Sequence, residues 1–460
     1  TVNGKAKNIK LALFNEKIIN NINLNFEIED KLIIFEKIKA KFKELKFKSN
    51  KIKIKNFEKY LLFEGDIKSS ESRVSPETLS VFLKNNLKEL EIEDLIFGSE
   101  NNFYFKLNKK FEFSDLKIKS KINLKKIVYK KNIISLNEYM PDYSNSISFK
   151  NHVVNLSYSK NKYSLNGKGE FFLDTKSDLI EYDIKFINDN YDFKSIIQIT
   201  NNPLLFNFIN YKKEKNISSL LKLEGIFSKN KKFFFNNISF KESKNNISIK
   251  NLELNKNLKV NKVNLINFDY VSDSSKKNKI FIKKEKNNYI IFGDIFDGST
   301  LLDKILNGKN EGGFSKIIAN FSSDLKISID QIYIDNDNYL KKLNGNLEFR
   351  DNNLINATLS ANFQNDKKLT YKVIKNSKNE KITTLFSEFA EPLVKKYKFI
   401  KGFEKGILDF HSIKKDNSSV SQLKIYDFKL QELPALTKIL TLASLQGIAD
   451  LLTGEGIRFN

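Results

Sequence analysis

One acidic segment resembles the start of a calcium-binding loop. Asp335-Asn336-Asp337-Asn338 supplies alternating oxygen ligands of the kind with which an EF-hand loop begins. In that loop, glycine makes a sharp turn at the sixth position and glutamate binds the ion at the twelfth. Here those positions hold Leu340 and Asn346. The segment therefore predicts a polar turn before a strand.

Two other features contain residue types used in phosphate binding or acid–base catalysis. The segment from Gly293 to Thr300 has glycines near a helix start but lacks the Gly-Lys-Ser/Thr ending of a P-loop, so it predicts a strand-to-helix turn. His152 and His411 are the only histidines, and we interpret both as ordinary strand residues. Cysteine is absent, as is any Gly-x-Ser-x-Gly segment. The sequence favours a protein that is not an enzyme and that has no metal or cofactor.

The positive charge is large but is carried almost entirely by lysine. The chain has 79 basic and 55 acidic residues, a net charge of +24, and its arginines are Arg73, Arg350 and Arg458. Bidentate contacts with guanine or phosphate favour arginine, so we expect no nucleic-acid partner. From Lys51 to Lys55, lysines alternate with isoleucines, which predicts a solvated strand face. Attraction to anionic lipid surfaces is an alternative that point charges alone can provide.

The elements that would position a binding site are predicted to be strands. Apolar and polar residues alternate with a period of two over most of the chain, for example from Ile22 to Ile28. The alternation slips by one residue within the segments 247–254, 325–334 and 423–430. Such a slip turns later side chains to the other face unless a bulge or bend absorbs it. These three segments are therefore predicted to be curved or bulged strands.

Glycine recurs between an apolar residue and a short apolar run. The pattern occurs at Gly65, Gly167, Gly225, Gly345 and Gly406, and three of the four intervals are close to sixty residues or twice that number. Glycine within a strand usually marks a bend or a close approach of two backbones. We interpret the pattern as an irregular repeat of kinked hairpins, with chance spacing as the alternative.

Few helices are expected. Ser75 followed by Pro76 predicts a helix start, and Ser299 predicts the cap of a short helix ending at Gly308. A third helix is predicted around Leu385, Phe386 and Phe389. A fourth, from Pro434 to about Leu452, is too short to span a bilayer, and no segment has eighteen uncharged apolar residues in succession. We expect no membrane-spanning segment in these residues.

The C-terminal segment carries the most specific pattern. A strand ending in Asp427-Phe428 leads into Pro434-Ala-Leu436, a leucine-rich run, and then Gly454-Glu-Gly456-Ile-Arg-Phe459. This segment resembles the AsmA-like C-terminal region of the large envelope proteins related to AsmA, TamB and YhdP, most closely the YhdP type. The resemblance is close over 420–460 and looser over 290–420, where Lys405 occupies a position at which the family often has the first of two glycines. The residues that carry it in and after the last helix are Pro434, Leu436, Leu440, Ser444, Leu445, Gly447, Gly454, Gly456 and Phe459.

The resemblance implies a periplasmic protein of the Gram-negative cell envelope, tethered to the inner membrane by an N-terminal helix outside these residues. It implies phospholipids as ligands, outer-membrane components as further partners, and intermembrane phospholipid transport as the function. It divides the chain into a repetitive β-groove region over 1–290 and an AsmA-like C-terminal region, truncated at its end, over 291–460. Because the chain begins at Thr1 and its only methionine is Met140, we expect a piece of a longer polypeptide.

The expected fold is mainly β, with a long curved antiparallel sheet forming an elongated apolar groove in a repetitive, bridge-like architecture with a few short helices. Exposing a sixteen-carbon acyl chain to water costs about 13 kcal/mol, at roughly 0.8 kcal/mol per methylene, and a continuous groove would remove that cost. The candidate groove residues are Ile52, Ile54, Phe103, Phe105, Leu107, Leu116, Ile118, Ile122, Leu124, Ile247, Ile249, Leu325, Ile327, Ile329, Leu347, Phe349 and Leu359.

Two alternatives stay open. From the alternation alone, a set of β-sandwiches whose apolar faces cover one another fits the sequence equally well. The function could also be that of a periplasmic scaffold or assembly factor for outer-membrane biogenesis, acting through protein contacts at strand edges or at the last helix.

Overall fold

A computed structural model describes residues 1–13, 17–83, 91–130, 134–160, 162–228, 232–299, 321–351, 353–378, 380–396, 403–415 and 418–430. The chain forms two compact units. The first comprises residues 1–205 and 213–231, and the second comprises 206–212 and 232–460. The division at residue 290 implied by the family resemblance stays a prediction.

The first unit is a succession of long antiparallel strands. Each strand from β1 to β10 pairs with the next one along the chain, and β14 pairs with β11. The strands are β1 (Val2–Leu13), β2 (Lys17–Glu29), β3 (Leu32–Phe42), β4 (Leu45–Asn56), β5 (Tyr60–Arg73), β6 (Ile92–Asn108), β7 (Phe113–Lys130), β8 (Ser146–Ser159), β9 (Lys162–Phe172), β10 (Ser177–Ile187), β11 (Asn190–Ile199) and β14 (Ser219–Ser228). Two short strands, β12 (Leu204–Phe206) and β13 (Tyr211–Lys213), lie between β11 and β14 in sequence.

The described strands of the second unit have the same organisation, with one parallel pair. Its strands are β15 (Phe233–Glu242), β16 (Asn245–Leu254), β17 (Val260–Lys262), β18 (Leu265–Val271), β19 (Lys277–Glu285), β20 (Asn288–Asp297), β21 (Ser323–Tyr333), β22 (Tyr339–Arg350), β23 (Asn353–Phe363), β24 (Lys368–Lys375), β25 (Lys381–Ser387), β26 (Phe403–Lys415) and β27 (Ser418–Leu430). Strand β16 pairs with β15, β17 and β18, and β20 and β21 are parallel. Parallel neighbours need a long crossover connection, and residues 298–322 supply that length.

Within the described residues, three short helices accompany the strands: α1 (Pro76–Leu83), α2 (Ile134–Asn137) and α3 (Glu391–Lys396), with a 3₁₀ turn at Asn207–Ile209. The predicted start at Pro76 is confirmed, since the hydroxyl of Ser75 accepts a hydrogen bond from the backbone N–H of Thr78 at 3.2 Å. The helices predicted after Ser299 and over 434–452 lie outside the described residues. Among the described helices, none has the length and hydrophobicity needed to cross a bilayer.

The helix predicted around Leu385 is wrong. Leu385 and Phe386 belong to β25, which pairs on both sides with β24 and β26. The β-branched Thr383 and Thr384 favour that extended conformation. The helix begins after the strand instead, at Glu391.

Left-handed residues lie at two of the three slips in alternation. Asn251 has a φ of 52° between Ile249 and Leu252, and Asp427 has a φ of 51° between Ile425 and Phe428. In β21 itself no such residue occurs at the slip; instead Lys342 of the neighbouring β22 has a φ of 51°. The predicted mainly β fold, with a long curved antiparallel sheet and few helices, is confirmed.

Candidate functional site

An unbroken row of apolar residues and glycines crosses all the long strands of the first unit. Consecutive members are directly opposed in the strand pairings, so they lie on one face of the sheet. With strands about 4.8 Å apart, the row extends roughly 50 Å. The members of this first row are Gly4, Phe26, Phe35, Ile52, Gly65, Phe103, Ile118, Tyr158, Tyr163, Phe186, Tyr191 and Phe227.

A second row crosses the second unit from β15 to β27 in the same way, omitting only the short β17. It passes through the parallel pair at Ile291 and Ile327 without interruption. No member carries a charge. The members of this second row are Ile238, Ile249, Ile266, Ile282, Ile291, Ile327, Gly345, Leu359, Tyr371, Leu385, Phe410 and Leu423.

The two rows are only partly shielded from solvent. Every member of the first row is half-buried, and so is every member of the second row except Phe410, which is 4% exposed. Phe410 is shielded because it packs in one cluster with Val394 of helix α3 and with Ala390, which immediately precedes that helix. Facing sheets of a β-sandwich would bury most of these side chains. Within the described residues, each row lies on an open face.

Aromatic rings form a continuous surface in the first row. The ring centroids of Tyr163 and Phe186 are 4.9 Å apart in a stacked arrangement, and those of Phe186 and Tyr191 are also 4.9 Å apart. Burial and the neighbouring hydroxyl of Tyr191 raise the pKa of Tyr163 above its ordinary value. Its hydroxyl therefore stays neutral, and this part of the face presents no charge.

Two glycines allow neighbouring strands to approach along the rows. A Cβ atom at Gly65 would lie 2.7 Å from the carbonyl oxygen of Lys51. A Cβ atom at Gly345 would overlap the carbonyl oxygen of Thr358 and contact the side chain of Leu359. Both positions belong to the glycine pattern of the sequence, and the structure places them at the close approaches that the pattern predicts.

The structure places all the candidate groove residues on the same face as the row of their own unit. In the first unit, Ile52, Phe103 and Ile118 belong to the first row, and Ile54, Phe105, Leu107, Leu116, Ile122 and Leu124 lie beside it on that face. In the second unit, Ile249, Ile327 and Leu359 belong to the second row, and Ile247, Ile329, Leu325, Leu347 and Phe349 lie beside it. The candidate residues from Pro434 to Phe459 lie outside the described residues.

The candidates taken from the sequence omit β8 to β11, which supply four aromatic members of the first row. Tyr158 pairs with Tyr163, and Phe186 pairs with Tyr191, each across a tight turn. Aromatic residues placed symmetrically about a predicted turn were the signal available in the sequence. That symmetry predicts two opposed residues on one face of a hairpin.

Two lysines on the opposite face of β4 are paired with acidic residues. Lys51 and Lys55 alternate with Ile52 and Ile54 of β4, as the sequence predicts. The Nζ atom of Lys51 lies 2.8 Å from Glu36, and that of Lys55 lies 2.9 Å from Glu64. The hydrogen bond from Lys51 lowers the pKa of Glu36. One face of β4 is therefore polar and ion-paired while the other is apolar.

His152 is a buried strand residue on the apolar face. Its side chain is 1% exposed, its Nε2 atom lies 2.9 Å from the carbonyl oxygen of Glu170, and its Nδ1 atom lies 3.2 Å from the hydroxyl of Tyr182. Burial lowers the pKa of His152. A neutral ring donates from Nε2 to the carbonyl and accepts at Nδ1 from the tyrosine, which satisfies both nitrogens. Both histidines lie in strands, since His411 belongs to β26.

The acidic segment forms a turn, and the glycine-containing segment contains the end of a strand. One carboxylate oxygen of Asp335 accepts hydrogen bonds from the backbone N–H groups of Asp337, at 2.8 Å, and Asn338, at 2.7 Å. This is the predicted polar turn, between β21 and β22. In the glycine-containing segment, β20 ends at Asp297, whose carboxylate accepts hydrogen bonds from the backbone N–H and the hydroxyl of Ser299.

Comparison with known proteins adds no relative. No protein-family model, no curated protein and no solved structure matches this chain.

Proposed function

We propose that this chain shelters phospholipid acyl chains along the apolar faces of its two units, as part of intermembrane phospholipid transport in the Gram-negative cell envelope. The observation that carries the proposal is that both rows are unbroken and that all their members except Phe410 are only half-buried. A row built for the stability of a closed core would be covered by a second layer. An open apolar row instead offers a surface on which methylene groups leave water, each contributing about 0.8 kcal/mol.

The proposal includes membership of the AsmA-like family, and with it a periplasmic location, a tether to the inner membrane and contact with outer-membrane components. A backbone feature supports it. Lys405 and Gly406 have φ angles of 63° and 82°, in the left-handed region that glycine favours. These are the positions at which the family often has two glycines. Lys405 therefore adopts the conformation that the family's residue would adopt without strain.

The two faces of the sheet suit an amphipathic ligand. Acyl chains would lie along the uncharged rows, while phosphate groups, which are costly to bury, would stay in water or at polar positions along the rim. Lysines on the opposite face, such as Lys51 and Lys55 of β4, keep that surface solvated. This separation of apolar and charged surfaces is the arrangement required for moving a phospholipid along strands without exposing its tails.

The test is to identify the lipids bound to the full-length protein by mass spectrometry after purification, and then to locate them by photocrosslinking. A photoreactive residue at position 327 should crosslink to acyl chains, because Ile327 lies in the second row. The same residue at Ser328, on the exposed opposite face, should not. Protein that carries no lipid, or equal crosslinking at the two positions, would overturn the proposal.

A scaffold function is the second candidate, and an exposed aromatic pair favours it. Phe281 and Phe292 are stacked with their ring centroids 5.2 Å apart, on the face opposite to the second row, and Phe292 is 39% exposed. Exposed aromatic residues are common at protein contacts. Under this hypothesis, Phe292→Ser would remove crosslinks to an outer-membrane protein partner and leave bound lipid unchanged.

A further inference from the structure

Three lysines form a row on the same face as the second row. Lys375 on β24 is directly opposite Lys381 on β25, which is directly opposite Lys414 on β26. Each lysine is four residues along its strand from a member of the second row, in ladders without a register shift. An even separation keeps side chains on one face, so the lysines lie roughly 13 Å from the apolar row.

On β25 and β26, small hydroxyl residues separate the lysines from the apolar row, whereas on β24 the corresponding residue is Val373. Thr383 is directly opposite Ser412, which is directly opposite Ser421. The hydroxyl of Ser421 donates to that of Ser412 at 2.8 Å. Along β25 and β26 the face therefore changes from apolar to hydroxyl-bearing to cationic. A phospholipid has the same order of groups: acyl chain, glycerol ester and phosphate.

The charge arrangement is unfavourable without an anion. Directly opposed like charges destabilise a strand pair. Elsewhere in this unit a strand lysine finds a carboxylate, as Lys279 does with Asp294 at 2.7 Å. Neither Lys375 nor Lys381 forms an ion pair with a described residue. Burial, together with the charge of Lys414, lowers the pKa of Lys381.

A buried hydroxyl next to the lysines also lacks a partner. Ser419 is directly opposite Lys414 and follows the same alternation as Ser421. Its Oγ atom is buried and has no hydrogen-bond partner among the described residues. A buried hydroxyl without a partner is unfavourable, and an anion bound by the lysines would accept its hydrogen bond.

We propose that Lys375, Lys381, Lys414 and Ser419 form a binding site for a phosphate group, and that the phosphate is that of a phospholipid headgroup. The headgroup assignment rests on the function proposed above. The order of the three bands favours a phospholipid over free phosphate, because only the lipid uses the hydroxyl and apolar bands as well. The site would fix the headgroup at one end of these strands and direct the acyl chains along the second row.

The test compares two lipids that share acyl chains, dioleoyl phosphatidylglycerol and dioleoylglycerol, which lacks the phosphate. Binding to the full-length protein is measured for the wild type and for Lys381→Gln/Lys414→Gln. We expect this variant to bind phosphatidylglycerol about tenfold more weakly, because charge-assisted hydrogen bonds are lost, and dioleoylglycerol equally well. Lys381→Arg should retain phosphatidylglycerol binding. The matched control is Lys372→Gln/Lys424→Gln, which removes two exposed lysines from the opposite face of β24 and β27. This control should leave the binding of both lipids unchanged.

A titration with inorganic phosphate separates the remaining outcomes. If both lipids bind and the lysine variant weakens neither, the headgroup site is overturned while the proposed function stands. If neither lipid binds but phosphate binds in a lysine-dependent manner, the residues form a site for free phosphate, and both the headgroup assignment and the proposed function are overturned. If neither lipid nor phosphate binds, the site and the proposed function both fail.

Discussion

Ile291 on β20 and Ile327 on β21 lie directly opposite each other in the parallel pair of the second unit. On their other sides, Ile291 faces Ile282 and Ile327 faces Gly345 across antiparallel pairs. The row of apolar side chains therefore continues while the direction of the strands changes. The continuity of the row depends on which face of the sheet each side chain occupies, and not on the direction of the strands. A surface that shelters acyl chains requires this continuity.

The first prediction concerns Ile327. Changing Ile327→Asp should reduce bound phospholipid strongly, because a carboxylate at this half-buried position would interrupt the second row and require solvation. Mass spectrometry of the purified protein measures the bound lipid. Ser328→Asp adds the same charge at the exposed neighbouring position and should leave bound lipid unchanged. If Ile327→Asp retains full lipid and the wild-type melting temperature, the row is not the binding surface.

The alternation in the sequence was sufficient to predict the faces of particular residues but not their neighbours. Ile52 and Ile54 could be assigned to one face from their spacing alone, and the slip in β16 coincides with a left-handed residue, Asn251. The pairing of Ile52 with Gly65, or of Ile291 with Ile327, depends on turn lengths and on a long connection, which alternation does not specify. Leu385 was misassigned because apolar residues at short spacing fit a helix as well as a buried strand.

The second prediction concerns Gly345. Changing Gly345→Ala should destabilise the second unit by about 2 kcal/mol, because the added methyl group collides with the backbone of β23 and neither strand can move without breaking ladder hydrogen bonds. Thermal unfolding measures the loss. Asn346→Ala, at the next and exposed position of β22, provides the control and should change stability by less than about 0.5 kcal/mol. Equal losses of stability for Gly345→Ala and Asn346→Ala would show that the close approach of β22 to β23 does not exclude a side chain at position 345.

The third prediction concerns His152, whose pKa is lowered by burial. In the unfolded chain this histidine takes up a proton at higher pH than in the folded protein. Folding stability should therefore fall as pH decreases below about 6.5, because the unfolded state then binds more protons. His152→Gln keeps a hydrogen-bonding side chain but cannot be protonated, so its stability should change less between pH 7 and pH 5. Unfolding curves at the two pH values for both proteins measure the difference, and parallel behaviour would contradict it.

The fourth prediction concerns Glu44, which holds the start of helix α1. Its carboxylate accepts hydrogen bonds from the backbone N–H of Ser75 at 2.6 Å and from the hydroxyl of Thr78 at 2.8 Å. Burial opposes ionisation, but these hydrogen bonds lower the pKa of Glu44 to about 2. The resulting stabilisation is present above the ordinary pKa of about 4.5 and is lost as pH falls towards 2.

Glu44→Gln should therefore destabilise the first unit by about 1 kcal/mol at pH 7 and by less at pH 3. Melting temperatures at the two pH values measure this difference. Glu58→Gln, at an exposed position outside the strands, is the control. If Glu44→Gln loses the same stability at both pH values, the charge of the carboxylate does not contribute to the stability of the first unit.

The fifth prediction concerns Lys405, whose φ of 63° is unfavourable for a residue with a Cβ atom. Lys405→Gly should raise stability by up to about 1 kcal/mol, because relief of backbone strain outweighs the greater flexibility of glycine in the unfolded chain. The backbone N–H of residue 405 would still donate to Glu391, the bond that connects β26 to helix α3. Lys429→Gly, on the neighbouring β27 where the backbone is not left-handed, should instead destabilise by roughly 0.5–1 kcal/mol. Chemical denaturation measures the stability of both variants. A gain for Lys405→Gly with a loss for Lys429→Gly would establish that position 405 requires a glycine-like conformation. A loss of stability for both variants would contradict the prediction.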